Sequence, residues 1–187
     1  ANAVSLKSIG SAPYFSKNLQ ETNSSGSNLD LLTYKPMLWL DANEPNATSS
    51  IWLDQSGNKN HAKKYDSPKT MPHPASGLMV MSYDSKKNYH EFKEINNIRT
   101  VFWVMSKKGG NSGSPLAHAT THHFYSNGDK FWHPKHTHEH IRNGSLRLNG
   151  LAGSSHSDYP NSLAVVSLKT TGNVTASRLG KDRNHGG

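Results

Sequence analysis

Two short apolar segments that each end in an aspartate place the strongest constraint on the fold of this chain. They are Leu38–Asp41 (LWLD) and Ile51–Asp54 (IWLD). Each segment is too short for a helix and suits a strand that is buried on at least one face. The second segment runs into QSGNKNHA at 55–62. Gly and Asn accept positive φ and Asn side chains bond to nearby backbone, so a tight polar turn is expected there.

This pair of segments resembles the opening signature of bacterial laminin-G-like domains in the concanavalin A-like lectin/glucanase superfamily. The resemblance continues at 100–105 (TVFWVM), 142–150 (RNGSLRLNG), 162–168 (SLAVVSL) and 175–183 (TASRLGKDR). It implies an all-β fold, a two-sheet jelly-roll β-sandwich over residues 34–187, with an irregular N-terminal extension or linker over residues 1–33. Such a resemblance implies a fold more than an activity.

The composition agrees with an extracellular β protein. The 187 residues can form one domain with its own core, and only 33% are hydrophobic and 18% charged, the difference being made up by small polar residues and histidine. There is no cysteine, so the core or a bound metal must supply the stability. No apolar run approaches the ~20 residues of a membrane span. Ala1–Val4 suits a processed N-terminus, and we expect a secreted or cell-surface protein.

The charge balance favours anionic partners. The formal net charge is +8 and there are 12 histidines. Acidic polysaccharide, nucleic acid and a membrane surface are all attracted by such a balance. The lysines occur in scattered pairs and none lies in a known nucleic-acid-binding motif, so no specific nucleic-acid partner is expected.

The remaining pattern predicts strands, loops and turns. Prolines 68, 72 and 74 predict a loop over residues 63–75. Two strands and a turn at Asn127-Gly128 are expected in the region formed by 116–123 and 124–132. A hairpin is expected around Asn143-Gly144, between 140–142 and 145–148. No helix is expected. Further strands are predicted at 78–83, 89–92, 99–105, 163–168 and 174–179.

Aromatic and polar side chains between residues 125 and 142 suggest a carbohydrate site. Aromatic faces stack on the C–H faces of sugars, while amide, carboxylate and imidazole groups bind hydroxyls. For a single aromatic ring such as Trp132, burial in the core is the more common role. The candidate residues are Tyr125, Asn127, Asp129, Trp132, His133 and Arg142.

Two metal sites are candidates. His136, His138 and His140 alternate, so in an extended chain they would share one face and could bind a transition metal. A solvated or sugar-contacting histidine run is the more common alternative. Calcium, which is common in the superfamily that the chain resembles, would take hard oxygen ligands such as Asp54, Asn58 and Asn60, although a plain polar turn explains these three as well.

The sequence does not favour an enzyme. Retaining glycoside hydrolysis requires two carboxylates about 5–5.5 Å apart. The alternating E-x-D-x-E strand of the superfamily's glucanases is absent, and Glu91 and Glu94, three residues apart, would lie on opposite faces of a strand.

The sequence therefore predicts a non-catalytic, lectin-like module that binds carbohydrate or an anionic glycan in adhesion. The alternative is a structural subunit of an extracellular filament or sheath that assembles by strand exchange. In that case 4–9, which alternates like an edge strand, would pair with a neighbouring molecule. In the family that the chain resembles, a closing strand follows the position of residue 183, and the alternative predicts that a neighbouring molecule donates this strand.

Overall fold

The computed structural model describes residues 3–6, 31–44, 47, 50–84, 87–107 and 114–181. Besides the 3-10 conformation of Ala47, the two helical elements in these ranges are a 3-10 turn, Leu31–Tyr34, and a four-residue helix α1, Glu139–Arg142. Neither is long and apolar enough to cross a membrane. The strands are β1 (Ala3–Leu6), β2 (Leu38–Leu40), β3 (Ile51–Trp52), β4 (Ala62–Tyr65), β5 (Lys69–Pro72), β6 (Met79–Ser82), β7 (Tyr89–Met105), β8 (Ser145–Leu148), β9 (Leu151–Gly153) and β10 (Ala164–Leu179).

The centre of the fold is an antiparallel ladder between the two long strands β7 and β10. It runs from the pair Met105 and Ala164 to the pair His90 and Leu179, with register shifts in the second half of β10. The predicted strands 89–92 and 99–105 are the two ends of β7. Likewise, 163–168 and 174–179 belong to β10, which continues through Gly172-Asn173.

The other strands extend this ladder into an eight-stranded sheet. The order is β2-β1-β7-β10-β8-β9, β4 pairs with the other end of β7, and β3 pairs with β4. The pairings of β1 with β2 and with β7 are parallel, and the remaining ones are antiparallel. A separate sheet contains β5 and β6. The all-β class is thus confirmed.

The N-terminal strand does not lie where the sequence suggested. β1 was expected at a sheet edge, and that expectation is wrong for residues 3–6. Ser5, for example, is in register with Trp39 on one side and Phe102 on the other. The alternating pattern reports a strand but not its position in the sheet, because an inner strand can alternate as well. Residues 7–9 of this prediction lie outside the described ranges.

The core lies between the inner face of the ladder and the segment 114–142. Trp103 of β7 packs edge-to-face on Phe124, with ring centroids 6.3 Å apart, and Phe124 packs on Trp132 at 6.2 Å. Burial of such rings is the largest single source of stability in a domain of this size. The most deeply buried side chains are Trp103, Trp132, Phe124, Phe131, Leu38, Leu40, Ile98, Leu116, Ile141, Leu168 and His90.

Two loop and strand predictions were wrong. Residues 63–75 are not a loop, because β4 and β5 lie there. Their prolines fall where a ladder tolerates them, Pro68 between the strands and Pro72 at the last position of β5. Residues 116–132 form no strand and take part only in isolated bridges, such as Ala117 with Arg178. The predicted turn at Asn127-Gly128 is present, closed by mutual backbone hydrogen bonds between Asn127 and Lys130.

The predicted hairpin at Asn143-Gly144 was also wrong. Residues 139–142 form α1, and Asn143, with φ of −91°, ends it by donating its backbone N–H to the carbonyl of Glu139. The hairpin is instead β8–β9, which turns at Asn149-Gly150. Both of these residues have positive φ, 49° and 84°, as a type I′ turn requires. The chain contains two Asn-Gly pairs in this stretch, and burial of Ile141 makes the first one a helix end.

Candidate functional site

Asp54 is a buried carboxylate that joins the two halves of the opening signature. Its exposure is 7%. Oδ1 accepts the backbone N–H groups of Trp39 and Ser56, each at 2.9 Å. Oδ2 accepts the Ser56 hydroxyl at 2.7 Å and the Asn60 N–H at 2.9 Å. Four donors thus compensate the burial of this charge and fix β2 against the turn that follows β3.

The other two predicted calcium ligands complete the same network. The Asn58 side-chain amide donates to the carbonyl of Pro36 at 2.8 Å, and that of Asn60 donates to the carbonyl of Met37 at 2.7 Å. Positive φ at Gly57 and Lys59 lets the turn close around Asp54. Both amides present N–H₂ groups to carbonyls and the carboxylate is already saturated. The three residues form a hydrogen-bonded latch, and calcium at this turn stays a prediction.

The histidine-rich segment 117–142 places its apolar rings in the core, and several of its imidazoles fasten it to the central ladder. His118 Nε2 lies 2.6 Å from the carboxylate of Glu94 on β7. His123 Nδ1 accepts the backbone N–H of Thr175 on β10 at 2.9 Å. His140 Nδ1 lies 3.0 Å from the Thr171 hydroxyl on the same strand. Imidazoles therefore set the position of this segment.

One group of rings, which we call the histidine–tyrosine cluster, contains Tyr125, His122, His133 and His136. The Tyr125 centroid lies 4.8 Å from that of His122, 5.7 Å from that of His133 and 6.0 Å from that of His136. His133 and His136 are 4.3 Å apart. Tyr125 is half-buried and His136 is exposed. The cluster is a partly open aromatic surface edged by imidazole nitrogens.

A second group contains His123, His138 and His140. His138 lies between the other two, with ring centroids 4.5 Å from His123 and 4.9 Å from His140. Burial, with the neighbouring His138 as a smaller cause, lowers the pKa of His123 to about 4. Burial followed by the charge of His140 also lowers the pKa of His138. The rings of His123 and His138 are therefore held neutral at physiological pH.

Several histidines use Nδ1 to accept backbone N–H groups. His118 Nδ1 accepts the amides of Thr120 and Thr121, both at 3.2 Å. The turn after His133 is capped in the same way by the amides of residues 135 and 136, and His138 caps α1 through the amide of residue 140. A nitrogen that accepts carries no proton, so the neutral ring carries its proton on Nε2. These histidines cap turns as Asp or Asn would.

This tautomer bears on the predicted transition-metal site. A metal needs an imidazole nitrogen with a free lone pair, yet His138 Nδ1 accepts the amide of residue 140, which puts the proton of the neutral ring on Nε2. The expected triad is also divided, since His136 belongs to the histidine–tyrosine cluster and His138 and His140 to the second group. The extended strand that was to align them is replaced by α1. Among the described residues, no set of three or more His, Asp or Glu side chains is placed to hold a metal ion.

The residues predicted to bind carbohydrate lie in three different places in the structure. Tyr125 and His133 come together in the cluster, and Arg142 lies beside it through a hydrogen bond from Nη1 to the carbonyl of Pro134. Asn127 and Asp129 are exposed on the neighbouring turn. Trp132, which is 2% exposed, belongs to the core and has no ring face for a ligand. The cluster also contains His122 and His136, which the sequence pattern did not predict as carbohydrate-binding residues.

The two carboxylates considered for catalysis have separate partners. Glu91 accepts a hydrogen bond from Arg178 Nε at 2.6 Å, and Glu94 contacts His118. His118 Nδ1 also lies 3.2 Å from the hydroxyl of Thr120, which completes a carboxylate–imidazole–hydroxyl series. That nitrogen is shared with two backbone amides, so it is poorly placed to take a proton from the hydroxyl. The series is explained as a turn cap.

Comparison of the chain with protein-family models, curated proteins and solved structures finds no match. The resemblance to laminin-G-like domains therefore stays a prediction. What the protein does has to be argued from the geometry above.

Replacing Asp54 with alanine should strongly destabilise the protein. Four donors would lose their acceptor, and we expect the free energy of unfolding to fall by about 3–5 kcal/mol. Asp41→Ala is the matched control, because among the described residues its carboxylate accepts hydrogen bonds from its near neighbour Asn43 alone. It should cost about 1 kcal/mol. Urea unfolding of both variants, with calcium and with chelator, measures this. If the urea concentration at the unfolding midpoint of the unmodified protein depends on calcium, the interpretation of these residues as a purely hydrogen-bonded latch is contradicted.

Proposed function

We propose that the protein is a non-catalytic, secreted or cell-surface module that binds carbohydrate in adhesion, on a jelly-roll scaffold of the kind that the sequence resembles. The ligand surface is the histidine–tyrosine cluster together with Arg142. The observation that carries the proposal is the half-buried Tyr125 ring, bordered by three imidazoles on the outer side of the segment that covers the core.

The chemistry of this surface suits a sugar. A ring held in place by its neighbours offers an apolar face for the C–H groups of a pyranose without losing conformational entropy on binding. His133 is held with its proton on Nε2, so it donates to a hydroxyl. Burial and the neighbouring His136 and Lys135 lower its pKa, which keeps the ring neutral. Arg142 is exposed at the border and adds further donors.

The cluster is also supported from beneath. The backbone carbonyl of Tyr125 accepts the N–H of His133 at 3.0 Å and the hydroxyl of Thr137. These contacts join the backbone at Tyr125 to the turn that carries His133 and His136. Removal of the tyrosine ring alone leaves them in place, so the role of the ring can be tested without unfolding the segment.

Tyr125→Ala should abolish or strongly weaken glycan binding. Loss of one stacked aromatic face is expected to reduce affinity about tenfold. Tyr34→Ala is the control, since Tyr34 is 58% exposed and lies on the 3-10 turn away from the cluster. A glycan array identifies the ligand of the unmodified protein, and titration of the two variants follows. A blank array, or equal losses in both variants, would contradict the proposal.

A second candidate function is a subunit that assembles by strand exchange, and the position of β1 favours it. β1 lies in parallel between β2 and β7, so it fills a gap whose two sides both present backbone groups. The segment 7–30, which is 24 residues, joins it to the 3-10 turn. A connection of that length allows the same strand to be donated to another copy.

Val4→Pro should prevent such assembly. Proline removes a ladder N–H, so donated pairing would fail, whereas Val4→Thr retains the N–H and a good strand former. Light scattering across a range of concentrations should show oligomers for the unmodified chain and Val4→Thr, and none for Val4→Pro. A single monomeric species at every concentration would remove this candidate.

A further inference from the structure

A row of stacked tyrosines and cations crosses three strands at the far end of the sheet. Tyr65 of β4 and Tyr89 of β7 are cross-strand partners, and their rings are parallel within 2° at a centroid distance of 4.5 Å. Lys63 Nζ lies 5.3 Å from the Tyr65 centroid. Arg178 Cζ and Lys181 Nζ lie 5.0 and 4.9 Å from that of Tyr89. We call these five residues the tyrosine–cation row.

The row occupies the outer face of the sheet. Side chains alternate along a strand, and the register pairs Lys63 with Glu91 and Tyr65 with Tyr89. Ala62, which precedes Lys63, and His90, which lies between Tyr89 and Glu91, are buried on the opposite face. The rings and cations therefore meet on the side that is turned away from the core.

The row carries excess positive charge. Arg178 is paired with Glu91 at 2.6 Å, which leaves its position fixed. Neither Lys63 nor Lys181 takes part in an ion pair between residues that the structure describes. Cations that lie on ring faces are held in place without being neutralised. Two fixed ammonium groups thus border a pair of phenol rings.

We propose that the tyrosine–cation row binds an anionic polysaccharide through its carboxylate or sulfate groups. Ammonium groups bind the anions, and the phenol hydroxyls can exchange hydrogen bonds with the sugar hydroxyls. Nucleic acid fits less well. Its binding to single strands depends on open aromatic faces for base stacking. Here each ring is covered by the other ring on one side and by a cation on the other.

This surface is separate from the histidine–tyrosine cluster. It lies on β4, β7 and β10, near Glu91, whereas the cluster belongs to the segment 117–142. The proposal for the tyrosine–cation row is therefore independent of the proposal for the histidine–tyrosine cluster. Tyr125→Ala should leave binding at the row unchanged, and this variant distinguishes failure of one proposal from failure of the other.

The test compares two double variants with equal loss of charge. Lys63→Ala/Lys181→Ala removes the free cations of the row. Lys35→Asn/Lys169→Ala removes two exposed lysines elsewhere, with asparagine at residue 35 because its φ is positive. The probes are polygalacturonate, neutral dextran and double-stranded DNA, and the affinity of each is measured at several salt concentrations.

The unmodified protein should prefer polygalacturonate. For the row variant, the slope of log affinity against log salt should fall by about 2, about one for each cation removed, with about a tenfold loss of affinity at low salt. The control pair should keep its slope. Equal losses in both pairs, tighter binding to DNA than to polygalacturonate, or no binding by the unmodified protein would overturn the proposal.

Discussion

The antiparallel ladder of β7 and β10 is the constraint on which the rest of the structure depends. Its inner face supplies much of the core, and its backbone and side chains position everything else. β1 and β4 pair with β7, β8 pairs with β10, and the histidine-rich segment is attached through Glu94, Thr171 and Thr175. A segment without strands of its own can hold a defined shape only if such contacts satisfy its polar groups.

Histidine is used in this protein mainly as a hydrogen-bond acceptor for the backbone. Beyond the cluster, His61 Nδ1 accepts the amide of Asp54, and His73 Nδ1 accepts that of Ala75. An Nδ1 atom that accepts an amide N–H has its lone pair engaged and leaves Nε2 as the nitrogen that can donate. This property disfavours metal binding and suits recognition of hydroxyls. The positive charge available to anions then comes from Lys and Arg, as in the tyrosine–cation row.

Sequence patterns predicted the strands whose residues alternate or are wholly apolar. They did not predict the conformation of segments that is determined by tertiary contacts. Residues 99–105 and 163–168 are strands because their own side chains fill the core. The segment 116–132 also contains large aromatic residues, yet Phe124 and Trp132 enter the core from loops that His118 and His123 attach to the ladder. No local pattern reports those contacts. The turn role of His118 and His133 has a signal in hindsight, since polar turn residues follow each of them.

The most direct test of this account is the tautomeric state of the histidines, read from nitrogen-15 chemical shifts in NMR spectra at pH 7. The account predicts that His123, His133 and His138 are neutral with the proton on Nε2. His123 should remain so until the pH approaches about 4, because burial lowers its pKa. Signals from the Nδ1–H tautomer, charged rings at pH 7, or shifts on addition of zinc would contradict it.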